Sequence, residues 1–201
     1  MMNLTKFKML RRDFLAGILT TAGAIPVYAL DNQTATKLVD QVVSEINQAI
    51  NSGGPEVKLI KAFESIFAKY ADVNIISRSA LGPPARTASA QELNKFSSAF
   101  RGYIARKYGR RFKEFVGSTI IVKNTINRGK FFEVSALVNM QGYAPFEVAF
   151  RVSDRSGHQL FFDIIIEGIS LLSSERVEIG ALLDARNGDI GRLTRDLSGL
   201  G

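Results

Sequence analysis

Apolar residues recur every three or four positions from about residue 30 onward, a spacing that predicts amphipathic helices. Asp31 or Asn32 is placed to cap the first helix, and the segment at 51–55 ends it and starts the second. The stripe of the first helix is Leu38, Val42, Ile46 and Ile50. The stripe of the second is Leu59, Phe63, Ile66, Phe67 and Tyr70.

Two further helices are predicted before residue 117. Asp72 caps a short one, which stops at the Pro83-Pro84 pair because two prolines cannot continue a helix. Ser89 with Glu92 three positions later is a capping box that opens the next helix. Its apolar positions are Leu93, Phe96, Phe100, Tyr103, Ile104 and Phe112, and Gly109 favours a kink in it.

After Gly117 the apolar period changes to two, which is typical of half-buried strands. Four strands are predicted, within 118–124, 131–140, 145–153 and 159–167. Their short, turn-rich connectors favour an antiparallel meander. Two helices, near 173–186 and 189–197, follow. Helices segregated from an antiparallel sheet of about four strands predict an α+β fold.

One face of the last three strands is expected to be entirely apolar. Its members are Phe132, Val134, Val138, Met140, Phe146, Val148, Phe150, Val152, Leu160, Phe162 and Ile164. In the last strand, Ile166 continues the alternation of Leu160, Phe162 and Ile164. This face is either a core packed on the helices or the lining of an apolar cavity. The pattern alone favours the core, because packed interiors are the default.

Polar residues near the last strand are weak candidates for chemistry. Asp163 and Glu167 share the opposite face, but four residues along a strand separate them by about 13 Å, more than the carboxyl spacings of glycosidases. We expect them to form surface ion pairs. His158 follows Ser156-Gly157 in a predicted hairpin turn, where a solvated histidine is expected.

Composition narrows the chemistry further. The 201 residues include no Cys, no Trp and one His. Thiol catalysis, zinc held by thiolates, iron–sulfur clusters and disulfides are therefore excluded, and a multi-His metal site is disfavoured. No phosphate loop or nucleophile elbow is present. We predict no catalytic residue, metal or cofactor. A binding protein remains, or an enzyme that uses carboxylates, Tyr, Lys or Ser.

Residues 1–29 have the pattern of a cleaved signal peptide. A basic start precedes an uncharged stretch at 14–27, which is too short to span a bilayer, and Val27-Tyr28-Ala29 is a small-residue cleavage signature. Arg11-Arg12-Asp13-Phe14-Leu15 also resembles a twin-arginine signal, so both export routes remain open. An uncleaved N-terminal anchor is the alternative. The basic residues of the segment are Lys6, Lys8, Arg11 and Arg12.

Removal of the predicted signal peptide changes the net charge of the chain. The net charge is +7 over 201 residues. Cleavage after Ala29 removes +3 and leaves 172 residues with a net charge of +4. We expect residues 30–201 to form a single domain in the periplasm. Since no Cys follows the apolar stretch, a lipoprotein is excluded.

Six basic residues fall within thirteen positions with no acid between them: Arg101, Arg106, Lys107, Arg110, Arg111 and Lys113. In a helix, Lys107 and Arg111 share one face. Such a surface suits lipid phosphates, an acidic protein or nucleic acid, and export argues against nucleic acid. A solvated helix face with no partner is equally consistent.

Several segments resemble one known family in order and spacing. The first segment is Asp72–Gly82, and the second consists of the aromatics Phe96, Phe100 and Tyr108 followed by Phe115-Val116-Gly117. The third is the run Phe162–Leu172 followed by Arg176. The fourth is Gly188-Asp189-Ile190 together with residues 193–197. Together they resemble the periplasmic phospholipid carriers typified by MlaC, also called the toluene-tolerance family. The resemblance covers essentially the whole predicted mature chain.

The resemblance implies a curved antiparallel sheet wrapped by N-terminal and C-terminal helices, related to the nuclear-transport-factor-like cone. It also implies a soluble, non-enzymatic carrier that holds lipid acyl chains between sheet and helices, with the head group outside. Such a carrier supports outer-membrane lipid asymmetry. The implied partners are a phospholipid, an inner-membrane ABC transporter complex, an outer-membrane lipoprotein complex and, transiently, the membrane surface.

On this basis two groups of site residues are expected. Acyl contacts are predicted at Phe100, Tyr103, Ile104, Val134, Val138, Phe146, Val148, Phe150, Phe162 and Ile164. Head-group or partner contacts are predicted at Arg86, Arg106, Lys107, Arg110, Arg111 and Lys113. Two alternatives stay open. One is an envelope structural or adaptor protein with a filled core. The other is an enzyme on a cone-like scaffold, which requires a carboxylate inside the cavity.

Overall fold

The computed structural model describes residues 30–201, so the predicted signal peptide lies outside the described residues. The helices are α1 Asn32–Ser52, α2 Glu56–Tyr70, α3 Val73–Leu81, α4 Ala90–Gly109, α5 Leu171–Asp184 and α6 Ile190–Asp196. The strands are β1 Thr119–Asn127, β2 Phe132–Asn139, β3 Phe146–Ser153, β4 Leu160–Ile166 and β5 Ile169–Ser170. Short 3₁₀ helices span Pro83–Arg86, Arg110–Phe115 and Leu197–Gly199.

The predicted helix starts are confirmed by their caps. The Asp31 side chain accepts a hydrogen bond from the backbone N–H of Thr34 at 2.7 Å. Asp72 does the same for Ile75 at 3.0 Å. Ser89 and Glu92 form the reciprocal capping box. These side chains satisfy backbone donors that the first turn of a helix leaves without partners.

The sheet is an antiparallel meander in the order β1-β2-β3-β4-β5. This confirms the predicted α+β class, and the short β5 adds a fifth strand to the four expected. The register shifts between Val122 and Thr125 in β1, and between Arg151 and Val152 in β3 where it pairs with β4. Such irregularities bend strands and increase their twist, which favours a curled sheet.

The second shift corrects the predicted face of β4. Val152 pairs with Phe161, whereas Phe150 pairs with Ile164, so β4 contains one extra residue between these pairs. Phe161 is therefore buried on the same side as Ile164. The prediction that Leu160, Phe162 and Ile164 alternate regularly on one face is wrong, because a bulge resets the period of two.

The fourth helix is also shorter than predicted. It ends at Gly109, and Phe112 lies in the following 3₁₀ helix rather than in a kinked continuation of α4. Tightening into 3₁₀ geometry is common at helix C-termini. The predicted helical face that joins Lys107 to Arg111 is therefore not continuous.

The main hydrophobic core joins one side of the sheet to the helices. It includes Val39 and Val42 of α1, Phe96 and Phe100 of α4, and Val134 of β2, all essentially inaccessible to solvent. Within residues 30–201, no helix combines the length and the hydrophobicity that crossing a membrane requires.

Candidate functional site

A cavity of about 900 Å³ lies between the sheet and helices α1 to α5. Strands β2, β3 and β4 contribute Val138, Val148, Phe150 and Ile164 to its lining. Most of the lining side chains are hydrocarbon, so water inside would find few hydrogen-bond partners. The volume falls in the upper part of the range of about 300–1,000 Å³ typical of ligand pockets.

The helical stripes supply the opposite wall. Val42, Ile46 and Ile50 of α1 line the cavity at the spacing of one helical turn, and α2 adds Phe63 and Phe67. Sequence reasoning found these stripes but assigned none of them to a site. Hydrophobic periodicity identifies an inward face and carries no information about whether that face meets another side chain or a void.

Eight of the ten residues predicted to contact acyl chains line this cavity: Phe100, Ile104, Val138, Phe146, Val148, Phe150, Phe162 and Ile164. The other two lie outside its lining. Val134 pairs with Thr125 and Phe150 and is fully buried in the core. Tyr103 is buried and its hydroxyl donates a hydrogen bond to Glu178.

The cavity lining includes an exposed end, formed by turns and by the 3₁₀ helix after α4. Tyr143, in the turn between β2 and β3, is 71% exposed although it lines the cavity. Arg111 and Glu114 are exposed lining residues as well, and their side chains form an ion pair at 3.6 Å. These residues mark the mouth. Arg111 is the one predicted head-group residue that lines the cavity.

The other predicted basic contacts lie outside the lining. Arg86 is exposed in the 3₁₀ helix after α3. Arg106 donates hydrogen bonds to the backbone carbonyls of Leu197 and Leu200 and so ties down the C-terminal segment. Arg110 and Lys113 share one carboxylate, that of Glu56, at 3.3 and 3.1 Å. Glu56 of α2, distant in sequence, thus partners two basic residues of a segment that itself contains no acid.

The prediction that Asp163 forms an ion pair at the surface is wrong, because its side chain is buried. It is 5% exposed and accepts hydrogen bonds from the Leu172 backbone N–H at 3.0 Å and from the Ser170 hydroxyl at 2.8 Å. The Arg151 guanidinium lies 3.4 Å away. Asp163 therefore joins β4 to the start of α5 and borders the cavity. Glu167 remains exposed, in the turn between β4 and β5.

A polar cluster connects α4 to α5 at the cavity wall. Lys107 Nζ lies 2.7 Å from Glu175 Oε1 and 2.5 Å from Glu178 Oε2. The hydroxyl of Tyr108 donates to Glu175 Oε1 at 2.5 Å, and Lys107 Nζ also donates to the Tyr103 hydroxyl at 3.2 Å. Sequence analysis missed Glu175, because its partners lie 67 and 68 residues away.

The protonation states of this cluster follow from burial and charge. Burial raises the pKa of Tyr103 and Tyr108, and the adjacent carboxylates raise it further, so both phenols remain hydrogen-bond donors. Burial lowers the pKa of Lys107, but the hydrogen bonds to Glu175 and Glu178 outweigh it, and the net shift is upward. For Glu178, burial raises the pKa, and the hydrogen bonds from Lys107 and Tyr103 more than compensate.

Other chemistries find little support in the described part of the chain. Across residues 30–201, no three His, Asp or Glu side chains are grouped in a way that would hold a metal ion. His158 is exposed, in the turn before β4. The carboxylate that the enzyme alternative requires is present, since Asp163 and Glu175 both line the cavity. Asp163 comes from β4 and Glu175 from α5.

Comparison with known proteins agrees with this geometry. A family model described as MlaC protein matches residues 36–198. Among solved structures, the chain resembles a phospholipid-binding protein from Ralstonia solanacearum, determined in complex with a phospholipid at 1.53 Å resolution. The TM-score is 0.70 at 19% sequence identity, and the match covers 82% of this chain and 95% of the other. At 19% sequence identity, this structural similarity establishes a shared fold and nothing further.

Proposed function

The chain belongs to the MlaC protein family, and from this membership we propose that it is a non-enzymatic phospholipid carrier of the periplasm. The acyl chains lie in the apolar cavity, and the polar head group lies toward the mouth near Arg111. The carrier moves lipid between the outer and inner membranes. It exchanges lipid with an outer-membrane lipoprotein complex and with an inner-membrane ABC transporter.

The size and lining of the cavity support this proposal most directly. A dry apolar cavity of about 150 Å³ holds one benzene molecule, which has six carbons. A cavity of about 900 Å³ is six times larger and scales to a few tens of carbon atoms. Two acyl chains of about fifteen carbons fall within that range. The solved structure from Ralstonia solanacearum contains a phospholipid in the same fold, which supports a lipid as the occupant here.

The energetics explain why a carrier needs such a cavity. Each methylene removed from water is worth about 0.8 kcal/mol, so two chains of about fifteen carbons carry more than 20 kcal/mol. Free diffusion of the bare lipid is therefore negligible. A hydrocarbon-lined cavity offers nearly the same environment as a bilayer, so the lipid can be loaded and unloaded without a large free-energy difference. No covalent step is required.

The two alternatives make different demands on the cavity. An adaptor protein with a filled core is disfavoured by the void itself. An enzyme on this scaffold gains one supporting observation, the contact between Glu175 and Tyr108 at the cavity wall. Both groups are held by intramolecular hydrogen bonds, and family membership favours the carrier. The fate of the lipid separates the two functions, because a carrier returns its lipid chemically unchanged.

A transfer assay tests the proposal. Donor liposomes of isotopically labelled phosphatidylethanolamine are incubated with the protein purified from cells that express the full chain, and the protein is then passed to unlabelled acceptor liposomes. We expect labelled lipid first on the protein and later in the acceptors, with its mass unchanged. Absence of labelled lipid on the protein would contradict the carrier function, and a changed lipid mass would favour the enzyme.

A further inference from the structure

Large apolar side chains are exposed at the end of the sheet where the cavity opens. Val116, between the 3₁₀ helix that follows α4 and the start of β1, is 55% exposed. Tyr143, in the turn between β2 and β3, is more exposed still. Ile169, the first residue of β5, is 63% exposed. We call these three residues the apolar rim.

The strand register places the apolar rim at one end of the sheet. The start of β1 pairs with the end of β2, since Thr119 is opposite Asn139. The start of β3 pairs with the end of β4, since Val148 is opposite Ile166. Ile166 is in turn opposite Ile169. The start of β1, the turn between β2 and β3 and the turn between β4 and β5 therefore lie at the same end.

The cavity opens among these same segments. Within residues 30–201, the exposed residues of its lining are Arg111, Glu114, Tyr143, Ala144 and Glu167. They belong to the 3₁₀ helix before Val116, to the turn that contains Tyr143, and to the turn before Ile169. Single exposed apolar residues are common on protein surfaces. The apolar rim differs from such scattered residues, because its members frame one opening.

The basic residues beside the mouth do not give it a positive charge. Three cations, Arg110, Arg111 and Lys113, are paired with two carboxylates. Two further carboxylates, those of Glu147 and Glu167, are exposed at this end of the sheet, where the Glu167 N–H donates to the Glu147 carbonyl. The net charge of these seven side chains is −1. Attraction to anionic phosphates is therefore weak at the mouth.

We propose that the apolar rim seats the carrier on the surface of a lipid bilayer, with the mouth of the cavity facing the hydrocarbon. This inference rests on the proposed carrier function and names the surface through which the carrier meets a membrane. A tyrosine suits the bilayer interface, because its ring is apolar and its hydroxyl is polar. Branched aliphatic side chains such as Val116 and Ile169 gain free energy when they enter the boundary between head groups and acyl chains.

Such a contact explains how a lipid passes between bilayer and cavity. Each methylene that crosses water adds to the barrier. Apolar side chains around the mouth displace water between the two hydrocarbon environments, so the acyl chains remain in contact with apolar groups. The nearly balanced charge at this end complements zwitterionic head groups. The apolar rim, rather than the basic residues, supplies the attraction.

Tryptophan reporters measure this contact directly, because the chain contains no Trp. Val116→Trp places one indole on the apolar rim. Ile126→Trp places one at the opposite end of the sheet, near the hairpin between β1 and β2. Neither position lines the cavity, and both proteins are purified with lipid already bound. When phosphatidylcholine vesicles are added, the emission of Val116→Trp should shift to shorter wavelength, and that of Ile126→Trp should not.

A double variant tests whether the contact serves lipid transfer. Val116 and Ile169 do not line the cavity, so Val116→Ser combined with Ile169→Ser should carry as much lipid as the wild type. Its rate of transfer to phosphatidylcholine vesicles should fall at least about tenfold, because burial of even one aliphatic side chain corresponds to about tenfold in affinity. Val177→Ser combined with Ile126→Ser changes the same two residue types at exposed positions outside the apolar rim, and should keep the wild-type rate.

Salt and lipid charge distinguish apolar from electrostatic contact. Salt weakens interactions between exposed charges and leaves apolar insertion in place. The wild-type transfer rate should therefore change by less than about twofold between low and high salt. Phosphatidylglycerol in the vesicles should not accelerate transfer.

The outcomes separate this inference from the carrier function. The inference is wrong if Val116→Trp shows no shift on vesicles, or if the double serine variant transfers lipid as fast as the wild type. A shift that requires anionic lipid also overturns it, because the basic residues then make the contact. Loaded wild-type protein that delivers no lipid to protein-free vesicles overturns it too, and indicates that a protein covers the apolar rim. In each of these cases the carrier function stands. Wild-type protein that neither carries lipid nor acquires any from vesicles contradicts the carrier function itself.

Discussion

Gly109 at the end of α4 lies directly against Ile60 of α2. A Cβ atom on Gly109 would come within 2.8 Å of the Ile60 Cα and within 3.4 Å of the Phe63 Cβ. This close approach lets α2 and α4 pack together at one wall of the cavity, where Phe63 and Tyr108 are both lining residues. The separation of these two helices therefore depends on the absence of a side chain at residue 109.

Replacement of this glycine should be destabilising. Gly109→Ala should lower the free energy of unfolding by about 2 kcal/mol, because overpacking a tight contact costs about 1–3 kcal/mol and exceeds the gain in helix propensity. Urea denaturation measures the change. Gly180→Ala is the control, since a Cβ at Gly180 in α5 meets nothing within 4 Å, and it should stabilise by about 0.5–1 kcal/mol. Equal effects of the two variants would contradict the packing argument.

The carboxylate of Asp163 should contribute to the attachment of α5 to the sheet. In Asp163→Asn, one oxygen that accepts from Ser170 and faces Arg151 becomes a donor, so we expect a loss of about 2–3 kcal/mol in chemical denaturation. Glu147→Gln, at an exposed position on β3, should change stability by less than about 0.5 kcal/mol. An Asp163→Asn protein as stable as the wild type would show that these hydrogen bonds make no net contribution.

Protonation of Glu133 on β2 should lower the stability of the protein at acid pH. The hydrogen bond from Arg128 lowers the pKa of Glu133 below its ordinary value of 4.5; burial opposes this, and Arg151 lowers it further. A pKa lower in the folded than in the unfolded state gives stabilisation that is complete above the unfolded-state value and lost as the pH falls through the folded-state value. Between about pH 6 and about pH 3, Glu133→Gln should therefore lose less stability than the wild type.

Denaturation midpoints measured across that pH range test whether the stabilisation by Glu133 is lost as the pH falls. Glu147→Gln serves again as the control, because Glu147 is exposed on the neighbouring strand. Its pH profile should follow that of the wild-type protein. A Glu133→Gln profile as steep as the wild-type profile would show that other carboxylates account for the acid sensitivity.

A bulky side chain placed in the cavity should weaken lipid binding without unfolding the protein. Val148 is 7% exposed and lines the cavity, so Val148→Trp should place its indole in the void and avoid the usual cost of overpacking. Lipid uptake should fall at least severalfold, as measured by mass spectrometry of protein recovered from liposomes. The control is Val177→Trp, at a position that is 75% exposed on α5, and its uptake should be unchanged. Equal uptake by both variants would place the lipid elsewhere.

Local patterns predicted most of the fold, because helices and antiparallel hairpins are specified by neighbouring residues. The stripe through Val42 and Ile46, the capping box at Ser89 and the alternation in β3 all appear in the structure as expected. The bulge opposite Arg151 was not predictable in this way, because it depends on the register between two strands. It placed Phe161 rather than Phe162 opposite Val152 in the core.

The candidate site was predictable only in part, for a related reason. The inward strand residues Val138, Val148 and Ile164 followed from periodicity. The partner of Lys107 did not, because Glu175 is 68 positions away and meets it only through the packing of α4 on the C-terminal helix. The volume between sheet and helices is likewise a property of tertiary packing, which no local pattern encodes.

Native mass spectrometry of the gently purified wild-type protein tests the central proposal most directly. We expect a population of the protein whose added mass equals that of an intact diacyl phospholipid, released on denaturation and identified by fragmentation. Protein that carries no lipid after gentle purification, and that acquires none from phosphatidylethanolamine liposomes, would contradict the proposal that the cavity holds a phospholipid.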